Sequence, residues 1–217
     1  MTEEHRRAAE ADEDMGSDVQ RAATILDEAG KHARHQLTYQ YPVLFTTWGL
    51  MYLLAYGACW LSVRSQRPYQ GPTPTALLSL TLVVAAALAI TVILVGRAVS
   101  GVGGSSARQR RMYSVSSIIG FAGLFTLEAA LDHAGASFAV LGVYGAAAPL
   151  LLTGVIIALG AARAVDWTVF GLGLWLVAVA AGSGFAGPVA VWAVDAVAVS
   201  FAFLAIAAVR YRRRYER

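Results

Sequence analysis

Histidine, lysine and cysteine are nearly missing from the body of this chain. The four histidines are His5, His32, His35 and His133, and none lies within an apolar run. Haem or zinc held by intramembrane imidazoles is thereby excluded, as is a histidine base for a membrane-embedded serine nucleophile. The "GSGF" stretch at 182–185 therefore leaves Ser183 as a turn residue. The single cysteine, Cys59, rules out an internal disulfide and reads as a small buried hydrophobe. No P-loop lysine, H-E-x-x-H or glycine-rich nucleotide fingerprint occurs. Charge itself is scarce, at 14% of residues, against about 25% in an average soluble domain. No enzyme chemistry is legible: the chain is read as non-enzymatic, with neither cofactor nor metal.

What is present is apolar length. The 217 residues are 57% hydrophobic, with a mean hydropathy of +0.56. From Pro42 onward, apolar runs recur that are long enough to cross a hydrocarbon core of about 30 Å at about 1.5 Å per residue. The pattern predicts an all-α, polytopic bundle of six transmembrane helices within 42–209, at approximately 43–63, 75–97, 113–132, 138–162, 166–183 and 188–209. Turn chemistry marks the breaks: "RPYQGPTP", "SGVGGSSARQRR", "DHAGAS" and "GSGFAGP". The break near "ARAVDW" is the shortest.

The first 41 residues differ in kind. Nine of the fourteen acids lie between Glu3 and Glu28, and "MTEEHRRAAEADEDMG" has none of the apolar character of a secretory signal. Residues 1–16 are expected to be a disordered acidic tail. Ser17 and Gln20 fit a capping box, and Val19, Ala22, Leu26, Ala29, Ala33 and Leu37 form a modest stripe. Residues 17–41 are thus expected to be a juxtamembrane amphipathic helix, ended or bent by Pro42. Glu28, His32 and His35 share one side of it, a conceivable metal patch for which a solvated face is the plainer reading.

Arginine placement sets the orientation. Lys31, Arg34, Arg97, Arg108, Arg110, Arg111 and Arg163 fall on one side, with Arg210, Arg212, Arg213, Arg214 and Arg217 of the basic tail at 210–217. Arg64 and Arg67 alone fall on the other. Both termini are expected in the cytoplasm of a bacterium, with the spans in its plasma (inner) membrane. The tail is expected to meet anionic lipid rather than nucleic acid. Trp60, Trp167 and Trp192 fall near predicted interfaces, while Trp48 and Trp175 sit deeper.

The odd-numbered spans align on Gly49, Gly120 and Gly171, which suggests three parallel hairpin repeats. The approach to the first span, "QYPVLFTTWGLMYLLAYGACWLS", resembles a group of uncharacterised actinobacterial six-span membrane proteins with a W-G pair opening the first helix. That resemblance implies topology and source, and no activity. A helix ahead of six spans is also similar to the membrane subunits of ATP-driven exporters, but the short "SGFAGP" turn departs from their longer external excursion.

Two carboxylates stand inside spans, Glu128 in the third and Asp195 in the sixth. An intramembrane acid is costly and usually faces the bundle interior or a watery cavity with a partner. Both fall in the expected outer half, near Asp132, His133, Arg64 and Arg67. Two arrangements follow. Glu128 pairs with Arg64 or Arg67 in a structural clasp, or Glu128 and Asp195 line an outward-open cavity for a cation or small cationic solute. The functional expectation is a small-molecule binding, transport or transport-accessory component. The alternative is a membrane-anchored regulatory or scaffold protein that engages a cytosolic partner through the N-terminal helix.

Overall fold

A computed structural model describes Thr24, residues 41–98 and residues 105–215. By contacts the chain forms two units, Met1–Gln40 and Tyr41–Arg217. Within the first, Thr24 is helical and exposed. The acidic tail, the amphipathic helix up to residue 40 and the Glu28, His32 and His35 patch lie outside the described residues.

The second unit is all-helical among its described residues: α1 (Tyr41–Val63), α2 (Pro74–Ala98), α3 (Ser105–His133), α4 (Phe138–Ala164), α5 (Trp167–Ser183) and α6 (Ala190–Tyr215). A 3₁₀ turn, Gly184–Ala186, links the last two. All six helices are long and apolar enough to cross a membrane, so the six-span architecture holds. Two boundaries move. α3 begins at Ser105, so Arg108, Arg110 and Arg111 occupy its first turns rather than a loop. α6 runs on to Tyr215, so most of the basic tail is helical. Arg108, Arg111 and Arg212 are exposed, and long arginine side chains let a helix continue past an apolar layer while their charges stay in water.

Local chemistry explains where the helices stop. Thr73 caps α2, its hydroxyl accepting from Ala76 N at 3.3 Å, with Pro74 in the first helical position. At the α3–α4 turn, Gly135 takes φ +82°, and Ala136 N reaches back to Leu131 O at 3.0 Å, satisfying a terminal carbonyl. Ser137 then caps α4. The α4–α5 turn does the same job with Val165 at φ 53°. A β-branched side chain in that left-handed region is strained.

The helices are unequally used. α1, α4, α5 and α6 supply nearly all of the core, including Tyr52, Tyr56, Leu150, Leu176, Val199 and Phe203. Among α3 to α6, α4 and α5 make the most extensive contact, because Gly154 and Gly173 bring their backbones together. A Cβ on Gly173 would lie 2.5 Å from Ala158 N, and one on Gly154 2.8 Å from Gly173 O. Removing side chains where backbones cross is how helices associate without a hydrophobic drive between them. α2 lies against α1, with Trp48 donating to Thr91 across the pair at 3.0 Å. α3 lies against α4, fastened by Tyr113 donating to the Ile156 carbonyl and by Tyr144 donating to the Leu124 carbonyl. The most apolar stretch of α3 contains no buried residue. The three glycines of the proposed repeat have three different surroundings: Gly49 abuts Leu204, Gly120 abuts Leu152, and Gly171 faces open space.

Candidate functional site

The buried face of α6 repeats every four residues: Val191 and Trp192, Asp195 and Ala196, Val199 and Ser200, then Phe203 and Ala207. That stripe carries Asp195 into the bundle five residues after Ala190, about 7.5 Å along the helix. Asp195 is fully buried, and neither carboxyl oxygen has a hydrogen-bond partner. Its neighbours are Tyr52 and Tyr56 of α1 and Ser183 at the end of α5. Ser183 stands at the turn that ends α5, as expected, and is in addition buried beside the acid. Its hydroxyl is directed to the Ala180 carbonyl at 3.4 Å. The hydroxyl of Ser200 is buried and unpartnered too. An unpaired buried carboxylate is among the costliest arrangements in a protein interior. A proton or a bound cation relieves it.

Opposite this stripe, α1 presents Tyr41, Phe45, Tyr52 and Tyr56 at spacings of four and seven. Together the two helices stack their rings into a column. Tyr41 lies 5.9 Å from Phe45, Phe45 6.1 Å from Phe203, and Phe203 5.8 Å from Tyr52. Tyr52 is 5.2 Å from Tyr56, which is 5.4 Å from Trp192. Tyr56 donates to the Ala146 carbonyl of α4 at 3.3 Å, one turn before Pro149 in the same helix. Asp195 stands beside the middle of this column.

Each end of the column meets a group of polar contacts. At the end that carries the arginines, Arg210 pairs with Asp166 at 2.5 Å, and its guanidinium lies 4.9 Å from the Tyr41 ring centre and 5.6 Å from that of Phe45. Asp166 also caps α5, accepting from Thr168 N and Val169 N at 3.1 Å each. One ion pair thus joins α1, α5 and α6. Partial burial pushes the Asp166 carboxyl up, but Arg210 and the two amides outweigh it and hold the group below the usual carboxylate range. At the opposite end, the α1–α2 loop sends Tyr69 down into the bundle. Trp192 donates to its hydroxyl at 3.4 Å, and the hydroxyl occupies the space beside Gly142 of α4. Burial pushes the Tyr69 hydroxyl up. Gln66 braces the loop by donating to the Ser62 and Gly71 carbonyls and accepting from Gln70 N.

The other expected residues are elsewhere. Glu128 is half-buried against α4, its carboxyl beside Gly145 and near Tyr144 and Asp132. Among these neighbours it shares none with Asp195. No ion pair joins Glu128 to Arg64 or Arg67 among the described residues, since Arg64 instead covers the Trp60 ring at 5.5 Å. Asp132 and His133 are exposed at the end of α3. An apolar groove of about 650 Å³ opens beside Tyr144, floored by Ala147, Ala148 and Ala180. Trp192, expected at the interface, is buried instead, whereas Trp167 is 78% exposed.

Several residues of this site carried no clear mark in the sequence. Asp166 and Arg210 look like a loop acid and a topology arginine, and only folding makes them partners. Tyr69 looks like any loop residue. The four- and seven-residue spacing of Tyr41, Phe45, Tyr52 and Tyr56 was the available signal for the column. No protein-family model matches the chain, and no curated protein or solved structure is significantly similar to it.

Proposed function

We propose that this is a bacterial inner-membrane protein that binds a small cation or cationic solute at Asp195, as a transport or transport-accessory component. The arginine-rich end faces the cytoplasm in this reading, which the arginine asymmetry supports. The observation that carries the proposal is the fully buried Asp195 with both oxygens unpartnered, in the core of the bundle. Intramembrane acids in such positions mark ion and substrate pathways. Asp195 is the ligand-binding residue, and Tyr52, Tyr56 and Ser183 form its immediate wall. Glu128, Asp132, His133, Arg64 and Arg67 lie outside that wall. Lipid surrounds α2 and α3, and anionic headgroups meet the arginine-rich end.

Thermal unfolding of the purified protein in lipid nanodiscs against a panel of inorganic and organic cations tests the reading. A ligand at one hundred times its Kd stabilises by about 2.7 kcal/mol. A stabilising cation is expected to act equally on wild type and Glu128→Gln, and to lose its effect in Asp195→Asn. Undiminished stabilisation of Asp195→Asn would overturn the assignment.

A further inference from the structure

The chemistry of the wall around Asp195 narrows the ligand. Asp195 is the one carboxyl among the groups that face it, and no group of three metal-ligating side chains occurs among the described residues. A divalent ion asks for six or more oxygen ligands, or about four donors in the case of zinc. What surrounds the carboxyl is aromatic. Tyr52, Tyr56 and Trp192 follow one another at 5.2 and 5.4 Å between ring centres, tilted by 46° and 50°. Aromatic rings grouped around a carboxylate suit an ammonium group, which is attracted to ring faces and neutralised by the acid. Burial of Asp195 strengthens both attractions.

The way in is equally specific. The Arg210, Asp166 and Tyr41 cluster shuts one end with an ion pair and a cation–π contact. At the other end a loop residue, Tyr69, packs against the core. Tyr69 reaches Trp192 through one long hydrogen bond, and its place exists only because position 142 is glycine: a Cβ there would lie 2.1 Å from the Tyr69 hydroxyl. Cys59 lies just below, fully buried and near both Tyr56 and Tyr69.

We propose that the closed site around Asp195 receives a small organic ammonium through the mouth that Tyr69 fills. This rests on the assignment of Asp195 as a cation site and adds the ligand class and the route. When Tyr69 withdraws, the rings of Trp192 and Tyr56 line the descent to the acid. The opposite ion pair stays closed meanwhile, so the site opens to one side at a time.

Cys59, the only cysteine, reports on this directly. Intact cells are treated with two membrane-impermeant methanethiosulfonates, one bearing a trimethylammonium group and one a sulfonate. Wild-type Cys59 is expected to stay unmodified. In Tyr69→Ala and Gly142→Ala it is expected to react faster by on the order of tenfold or more, because labelling of a buried thiol follows the population of the open form. The ammonium reagent is expected to outpace the sulfonate, and tetramethylammonium chloride to protect. Adding Asp195→Asn to either variant should abolish both the preference and the protection. Unmodified Cys59 in both opened variants would overturn the route. Labelling with no charge preference, protected by sodium rather than tetramethylammonium, would overturn the ammonium while leaving Asp195 a cation site. If no cation either protects Cys59 or stabilises the protein, both readings fall.

Discussion

α5 and α3 are both apolar helices, yet they live in different worlds. A third of the α5 membrane window is buried and none of the α3 window is. The difference does not lie in hydropathy, which is 1.9 for α5 and 1.6 for α3. In a bilayer the outside is as apolar as the inside, so an apolar stripe no longer says which face turns inward. What separates the two helices is the use of small residues. On α5, Gly173 lets the α4 backbone come so close that a Cβ would lie 2.5 Å from Ala158 N. On α3, Gly123 has nothing within 4 Å, and Gly120 meets only the end of the Leu152 side chain. The inner helices are joined through backbone contact and stacked rings, and the outer ones by a few tyrosine and tryptophan hydrogen bonds.

This contrast can be broken by a single methyl group. Gly173→Ala is expected to destabilise by about 3 kcal/mol or more, since backbone cannot yield as a side chain can. Gly123→Ala should stay within about 0.5 kcal/mol of wild type. Chemical unfolding of the two variants in the same detergent checks the difference, and equal stabilities would refute the division into inner and outer helices.

The next effect has the opposite sign. Asp195→Val replaces an unpartnered buried carboxyl with an apolar group and is expected to raise stability by about 1–3 kcal/mol while abolishing cation response. A gain in stability coupled to a loss of binding is the mark of a residue kept for function. Destabilisation on the same scale would mean that Asp195 is a structural partner.

The smallest effect belongs to the arginine-rich end. Asp166 has a lowered pKa, so its ionised form favours the folded state. That contribution is present above the ordinary aspartate range and is lost as pH falls through the lowered value. For a partly exposed pair it amounts to about 1 kcal/mol or less. Asp166→Asn keeps a capping side chain for α5 but loses the ion pair with Arg210. Its melting temperature is expected to lie slightly below wild type at neutral pH and to change less on acidification. Parallel pH profiles for the two proteins would show that the pair does not hold the end closed.

The spans were legible because length and apolarity are local properties, and turn residues such as Gly135 and Pro74 fix their ends. Asp195 could be singled out for the same reason: an acid in an apolar run is costly wherever the run goes. Its surroundings could not be read, because they depend on which helix faces which. Glu128 looked equivalent in sequence, yet α3 lies at the edge and leaves it half-exposed against Gly145. The clasp with Arg64 was reasonable from charge alone, but the guanidinium found the Trp60 ring next to it on its own helix turn. Tyr69 shows the limit most sharply. Its role comes from a missing side chain at Gly142, seventy-three residues further along the chain.

The measurement closest to the central claim observes the Asp195 carboxyl itself. With ¹³C-carboxyl aspartate incorporated into protein in nanodiscs, the Asp195 resonance is assigned by its loss in Asp195→Asn. On titration with tetramethylammonium and alkali chlorides at constant pH and ionic strength, the Asp195 signal is expected to shift and saturate with the bound cation. The signals of Asp132 and Asp166 should hardly move. An Asp195 signal that no cation shifts further than that of Asp132 would contradict the account.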